Sequence, residues 1–114
     1  MVNTSKKVFD QALGMRLGPN YCLVRSVSLQ ATHMVVFARR ELVPHISFSS
    51  SQVVKIGGDK GSFANKGGVR ICFKLASSYL CFVGTHMSAH SGMQAKRAQD
   101  LETILRRLVF RDSD

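Results

Sequence analysis

"GVRICFKLASSYLCFVGTHMSAH", residues 68–90, decides most of the fold. Its first half alternates. Val69, Ile71, Phe73 and Leu75 fall on one side of an extended chain and Arg70, Cys72 and Lys74 on the other, the pattern of a half-buried strand. Ala76-Ser77-Ser78 supplies a turn, and the run Tyr79 to Val83 that follows is apolar on both faces. A strand of that kind is expected at the centre of a sheet, with one layer above it and another below. The stretch therefore predicts a hairpin and, beyond it, a second layer of structure.

This hairpin delivers His86 at the C-terminal end of its second strand, with His90 four residues further on. Next comes Ser91-Gly92-Met93-Gln94, which fits a capping box, so a helix is predicted to start just after His90. Along that helix Ala95, Ala98, Leu101, Ile104, Leu105 and Leu108 form one apolar stripe, with Lys96, Arg97, Arg106 and Arg107 mostly outside it. Arg106, Arg107 and Arg111 lie near its C-terminal end, where positive charge complements the helix dipole, and read as a solvated face. A histidine at a strand end beside a helix N-terminus is a place that favours anions such as phosphate.

Upstream, Val8, Phe9, Ala12 and Leu13 recur at helical spacing and the pattern stops at Gly14, predicting a helix over 5–13. From Tyr21 the period changes. Short β-branched and aromatic runs at 20–29, 33–40, 45–49 and 52–56 read as consecutive strands, close enough together to pair antiparallel. Between them and the hairpin, "GGDKGSFANKGG" (57–68) holds five of the nine glycines together with Lys60 and Lys66. Such a loop can form an anion nest, although it also suits a plain surface connection.

The 114 residues suit one modest domain, and no linker of useful length divides them. Apolar residues make up 45% and charged residues 20%, ordinary globular usage that excludes a disordered chain. No apolar run approaches the roughly 20 residues needed to cross a bilayer and no signal-peptide pattern opens the chain, which predicts a soluble, intracellular protein. Cys22, Cys72 and Cys81 are odd in number, lack CxxC spacing and have apolar neighbours, so they read as buried reduced thiols. A net charge of +9 points to phosphate-rich partners without choosing among nucleic acid, inositol phosphates and anionic headgroups.

Several chemistries fail on the residues themselves. HExxH requires a glutamate where Met87 stands, and His33, His45 and the scattered cysteines supply no zinc set, so no metal ligand is assigned. GxxxxGK[ST] and GxGxxG are both absent, since "ANKGG" carries its lysine before the glycines.

"NKGGVRICF" (65–73) followed by "LCFVGTHMSAHSGMQAKRAQD" (80–100) resembles the inositol polyphosphate 5-phosphatases of the endonuclease/exonuclease/phosphatase superfamily. Order and spacing carry the resemblance, which spans roughly residues 20–110 and includes "ARREL". Departures from the family pattern are Gly84-Thr85 for Asn-Ser, Met87 for Leu, Ser88 for Ala and Ala98 for Asn, the last removing an amide. The resemblance implies an α/β chain of α+β sandwich type, a fragment of the four-layer fold with mostly antiparallel strands and flanking helices. It implies a partial catalytic domain over 1–114, incomplete at both ends. The family's Mg²⁺-holding glutamate, its G-D-x-N-x-R, P-x-W-C-D-R-I-L and S-D-H segments have no counterpart in this sequence.

In that family a phosphoric monoester hydrolase reaction removes the 5-phosphate of a phosphoinositide or soluble inositol polyphosphate with Mg²⁺. Carried over, His86 is the catalytic histidine facing the phosphate. Asn65 and Lys66 bind substrate, with His90 as a weaker contact at the helix start. Gly67 and Gly68 let the backbone approach or turn, and Arg97 and Asp100 brace the site as R-x-x-D. The fragment by itself is expected to be inactive. Cytoplasmic location with peripheral membrane contact follows, and nucleic acid is disfavoured as a partner. Two alternatives stand beside this reading: a non-catalytic basic anion-binding or interaction domain, and a nuclease of the same superfamily.

Overall fold

The computed structural model describes residues 3–56, 65–87 and 91–110. Helix α1 (Thr4–Leu17) leads into strands β1 (Tyr21–Leu29) and β2 (Thr32–Arg39), a 3₁₀ turn (Arg40–His45), strands β3 (Ile46–Lys55), β4 (Gly67–Leu75) and β5 (Ser78–His86), and helix α2 (Gln94–Arg107). All strand pairings are antiparallel. They form a β1–β2 hairpin and a sheet of order β3–β4–β5.

The apolar side foreseen for β4 makes the main core. Val69, Ile71 and Phe73 pack with Val27 and Leu29 of β1, and Met34 and Val36 of β2 close around them. On the sheet's other face Val54 and Ile56 meet Ile104 and Leu108, with Val83 and Met87 at the edge of the cluster. Burying each such branched side chain contributes about 1.5–3 kcal/mol. With α1 on the far side of the β1–β2 hairpin, the order of layers is helix, hairpin, sheet, helix, a mixed α/β sandwich as expected.

Five details differ from the sequence-based expectations. First, β4 rather than Tyr79–Val83 is the central strand, and it is buried on both faces, including Arg70 at 3% exposure. Arg70 tolerates that site because its guanidinium donates to Ser50 Oγ at 2.8 Å and Gln52 Oε1 at 3.3 Å. β5 lies at the sheet edge, and Phe82 stays 46% exposed. Second, the runs 45–49 and 52–56 are one strand, β3, interrupted by an irregularity between Ser47 and Ser50 where Phe48 adopts φ +54°.

Third, α1 runs through Gly14 and ends at Gly18, whose φ is +94°. Gly14 is there because the Phe37 ring lies 3.3 Å from where a Cβ would be. Fourth, Ser91 does not cap α2: the helix starts at Gln94 with Met93 before it and no side-chain cap bond. Fifth, Cys72 and Cys81 are not reduced thiols but joined by a disulfide, with Cα atoms 4.2 Å apart, and Cys22 is the free cysteine. Hairpin register, which residue spacing along the chain does not display, brings the two opposite each other.

Candidate phosphate site

The two motifs meet because β4 and β5 pair. Gly67 is opposite His86 and Gly68 opposite Thr85, so "NKGG" and "GTH" lie side by side at one end of the sheet. Asn65 and Lys66 immediately precede that pair. The Asn65 Nδ2 lies 3.5 Å from His86 Nε2, at the outer limit of a hydrogen bond. Asn65 Oδ1 is buried with no partner among the described residues. The Lys66 carbonyl accepts from the Ile56 N–H at 3.0 Å, which ties the segment to the end of β3. His86 itself is exposed. A solvent-facing imidazole and an adjacent amide are thus held on a rigid sheet end, a geometry suited to gripping a phosphoryl oxygen.

Both glycines are required by close packing. A Cβ on Gly67 would sit 1.9 Å from the Val54 carbonyl oxygen and 2.9 Å from Leu29 Cδ2, at a φ of +152°. A Cβ on Gly68 would sit 2.6 Å from Ile104 Cγ2. The hairpin layer and α2 therefore both press on the backbone next to His86.

On α2, Ile104 lies over Gly68, while the Phe110 carbonyl beyond the helix lies 3.0 Å from Cys81 Sγ, further along the same hairpin. The helix therefore points its N-terminal half, with Arg97 and Asp100, toward the Gly67–His86 end. Asp100 is 4% exposed and takes Lys96 as an ion-pair partner at 3.0 Å. Arg97 is also engaged. His90 lies outside the described residues, as do Lys60 and most of the glycine loop.

Sequence reasoning missed Gln52. Its Oε1 accepts from Arg70 Nε at 3.3 Å and the Val109 N–H at 2.8 Å, and its Nε2 donates to the Arg107 carbonyl at 3.2 Å. This side chain clamps the C-terminal end of α2 to β3, yet a glutamine starting an apolar run carries no signal of that task. A cleft of about 340 Å³ between α1 and the β1–β2 hairpin, lined by Lys7, Gln11, Gly14, Leu23 and Phe37, includes none of the site residues.

No group of three or more His, Cys, Asp or Glu among the described residues is placed to hold a metal ion. The described residues therefore make no set that would hold Mg²⁺.

Comparison with known proteins agrees with the geometry. The model of endonuclease/exonuclease/phosphatase family 2 matches residues 2–114. Inositol polyphosphate 5-phosphatase K of Mus musculus is 30% identical over 95 residues, 83% of this chain and 20% of that protein. Inositol-1,4,5-trisphosphate 5-phosphatase 1 of Schizosaccharomyces pombe is 34% identical over 96 residues, 82% of this chain and 9% of that protein. Among solved structures, the inositol polyphosphate 5-phosphatase domain of SPsynaptojanin, in complex with inositol (1,4)-bisphosphate and calcium ion, superposes with a TM-score of 0.81 at 29% identity. The superposition covers 96% of this chain and 33% of that one. The chain thus spans a fifth or less of these curated relatives and a third of the solved domain. With the "NKGG" and "GTH" strands paired as neighbours and these matches along its length, the chain belongs to endonuclease/exonuclease/phosphatase family 2 and is similar to that family's inositol polyphosphate 5-phosphatases.

Proposed function

We propose that this chain supplies the phosphate-gripping part of an enzyme that hydrolyses the 5-phosphate of a phosphoinositide or soluble inositol polyphosphate. The observation that carries the proposal is the convergence of Asn65 Nδ2 and His86 Nε2 at 3.5 Å beside the Gly67–His86 strand pair. Asn65 Nδ2 and, in the tautomer that carries its hydrogen on Nε2, His86 can donate to the same phosphoryl oxygen. The charge of Lys66, next to Asn65, favours a multiply phosphorylated ring. Gly67 and Gly68 keep this end of the sheet close to the layers on either side. Arg97 and Asp100 belong to the helix side of the same site.

In this reading the Mg²⁺ of the family's reaction is held by residues other than the described ones, and the 114 residues are inactive alone. In a Mg²⁺-dependent phosphate-release assay on a 5-phosphorylated inositide, the isolated chain should show no turnover. An enzyme carrying this segment with the remainder of the catalytic domain should turn over and lose about 10²–10³-fold in kcat on His86→Ala. Turnover by the isolated chain, or full activity of the variant, contradicts the proposal. The +9 charge favours peripheral contact with anionic membranes. It also favours the second reading, a non-catalytic anion-binding domain, which salt-sensitive vesicle binding unchanged by His86→Ala, with no turnover in the extended chain, would support instead.

A further inference from the structure

We propose that Cys72–Cys81 is a reversible redox site, opened by attack of a small thiol on Cys81 with Cys72 as the leaving group. The two residues are direct partners across β4 and β5, and the ladder continues on both sides through Ile71–Phe82 and Phe73–Leu80. The hairpin is therefore held by its own pairing and core contacts, and the bond can open without unfolding it. The pair lies on the same ladder as Gly67–His86, so the bridge pins the register of the two strands that carry the candidate site.

The two sulfurs differ in access. Cys72 is on the central strand and 4% exposed, whereas Cys81 is on the edge strand and partly exposed. Exchange takes place at the sulfur that an incoming thiolate can reach, which is that of Cys81, and the buried Cys72 sulfur is then the one that leaves.

In the first step an external thiolate, of the glutathione class, bonds to Cys81 Sγ while the Cys72–Cys81 bond breaks and its electron pair departs on Cys72. A second external thiolate then attacks the external sulfur of the mixed disulfide and releases Cys81. The two protein thiolates take up the two protons that the external thiols gave up. Two external thiols are oxidised to one disulfide and the protein disulfide is reduced to two thiols. The reduced state has a partner in place, because the Phe110 carbonyl oxygen lies 3.0 Å from Cys81 Sγ and can accept from its S–H.

The test equilibrates the 114-residue chain in glutathione buffers of graded ratio, traps thiols by alkylation and maps each cysteine by mass spectrometry, with Cys22 as the unbridged reference. Cys72 and Cys81 should pass together from bridged to alkylated as reduced glutathione increases. Cys81 in the Cys72→Ser variant should take up glutathione at least about tenfold faster than Cys72 in the Cys81→Ser variant. Should either variant fail to fold by circular dichroism, the transient mixed disulfide of the unaltered chain should be found on Cys81. Free Cys72 and Cys81 in the most oxidising buffer, equal uptake by the two variants, or a mixed disulfide trapped on Cys72 would overturn the proposal.

Discussion

At Gly67 a methyl group would collide with the Val54 carbonyl at a φ of +152°, so Gly67→Ala should cost about 2 kcal/mol or more in urea denaturation. Gly18 is the control. Its φ is +94° but nothing lies within 4 Å of a Cβ there, so Gly18→Ala should cost only about 1 kcal/mol. Equal losses at the two positions would show that packing next to His86 is not the constraint. Asp10 is a second single-residue support: its carboxylate accepts from Ser26 Oγ at 2.7 Å and His33 Nε2 at 2.7 Å, joining α1 to the β1–β2 hairpin. Asp10→Ala strips two part-buried groups of their acceptor and should lower stability by about 1–3 kcal/mol, read from the denaturation midpoint. Of these residues, the glycines next to the site were legible because a motif contains them. Asp10 and His33 were not, since 23 positions of chain separate them and only layer packing brings them together.

Among the elements, α2 shows how local signals yield to tertiary ones. Its apolar stripe was legible, and Ile104 and Leu108 of that stripe are buried against the sheet. Its predicted cap was not used, and its C-terminal end is instead held by Gln52. Ile104→Ala should therefore cost about 2–5 kcal/mol, from the cavity left over Gly68. Hydrogen exchange along α2 should rise with it, and retention of wild-type protection would argue that capping, not packing, holds the helix. The β4–β5 hairpin makes a related point. A three-residue turn over Ala76-Ser77-Ser78 pairs Leu75 with Tyr79, which puts Cys72 opposite Phe82. The observed turn pairs Leu75 with Ser78, and that one-residue change sets Cys72 opposite Cys81. Turn length, set by whether Ala76 takes its φ of +54°, thus decided the disulfide.

For the molecule as a whole, Phe82, Leu101, Leu105, Val109 and Phe110 are exposed at 38–50%, and the outer edge of β5 has no strand partner among the described residues. An edge strand beside exposed apolar side chains invites pairing between copies. The 114-residue chain should consequently elute with a concentration-dependent size in gel filtration, and a strictly monomeric profile at high concentration would contradict this. The sequence by itself determined the element types, the antiparallel pairing and the motif order that marks the family, because periodicity, turns and short motifs are local properties of the chain. Only the tertiary structure decided that β4 is central, that Cys72 meets Cys81, and that Asn65 meets His86 under two pressing layers. Those outcomes depend on register and on which faces are buried, quantities that a one-residue shift reverses without changing a single letter.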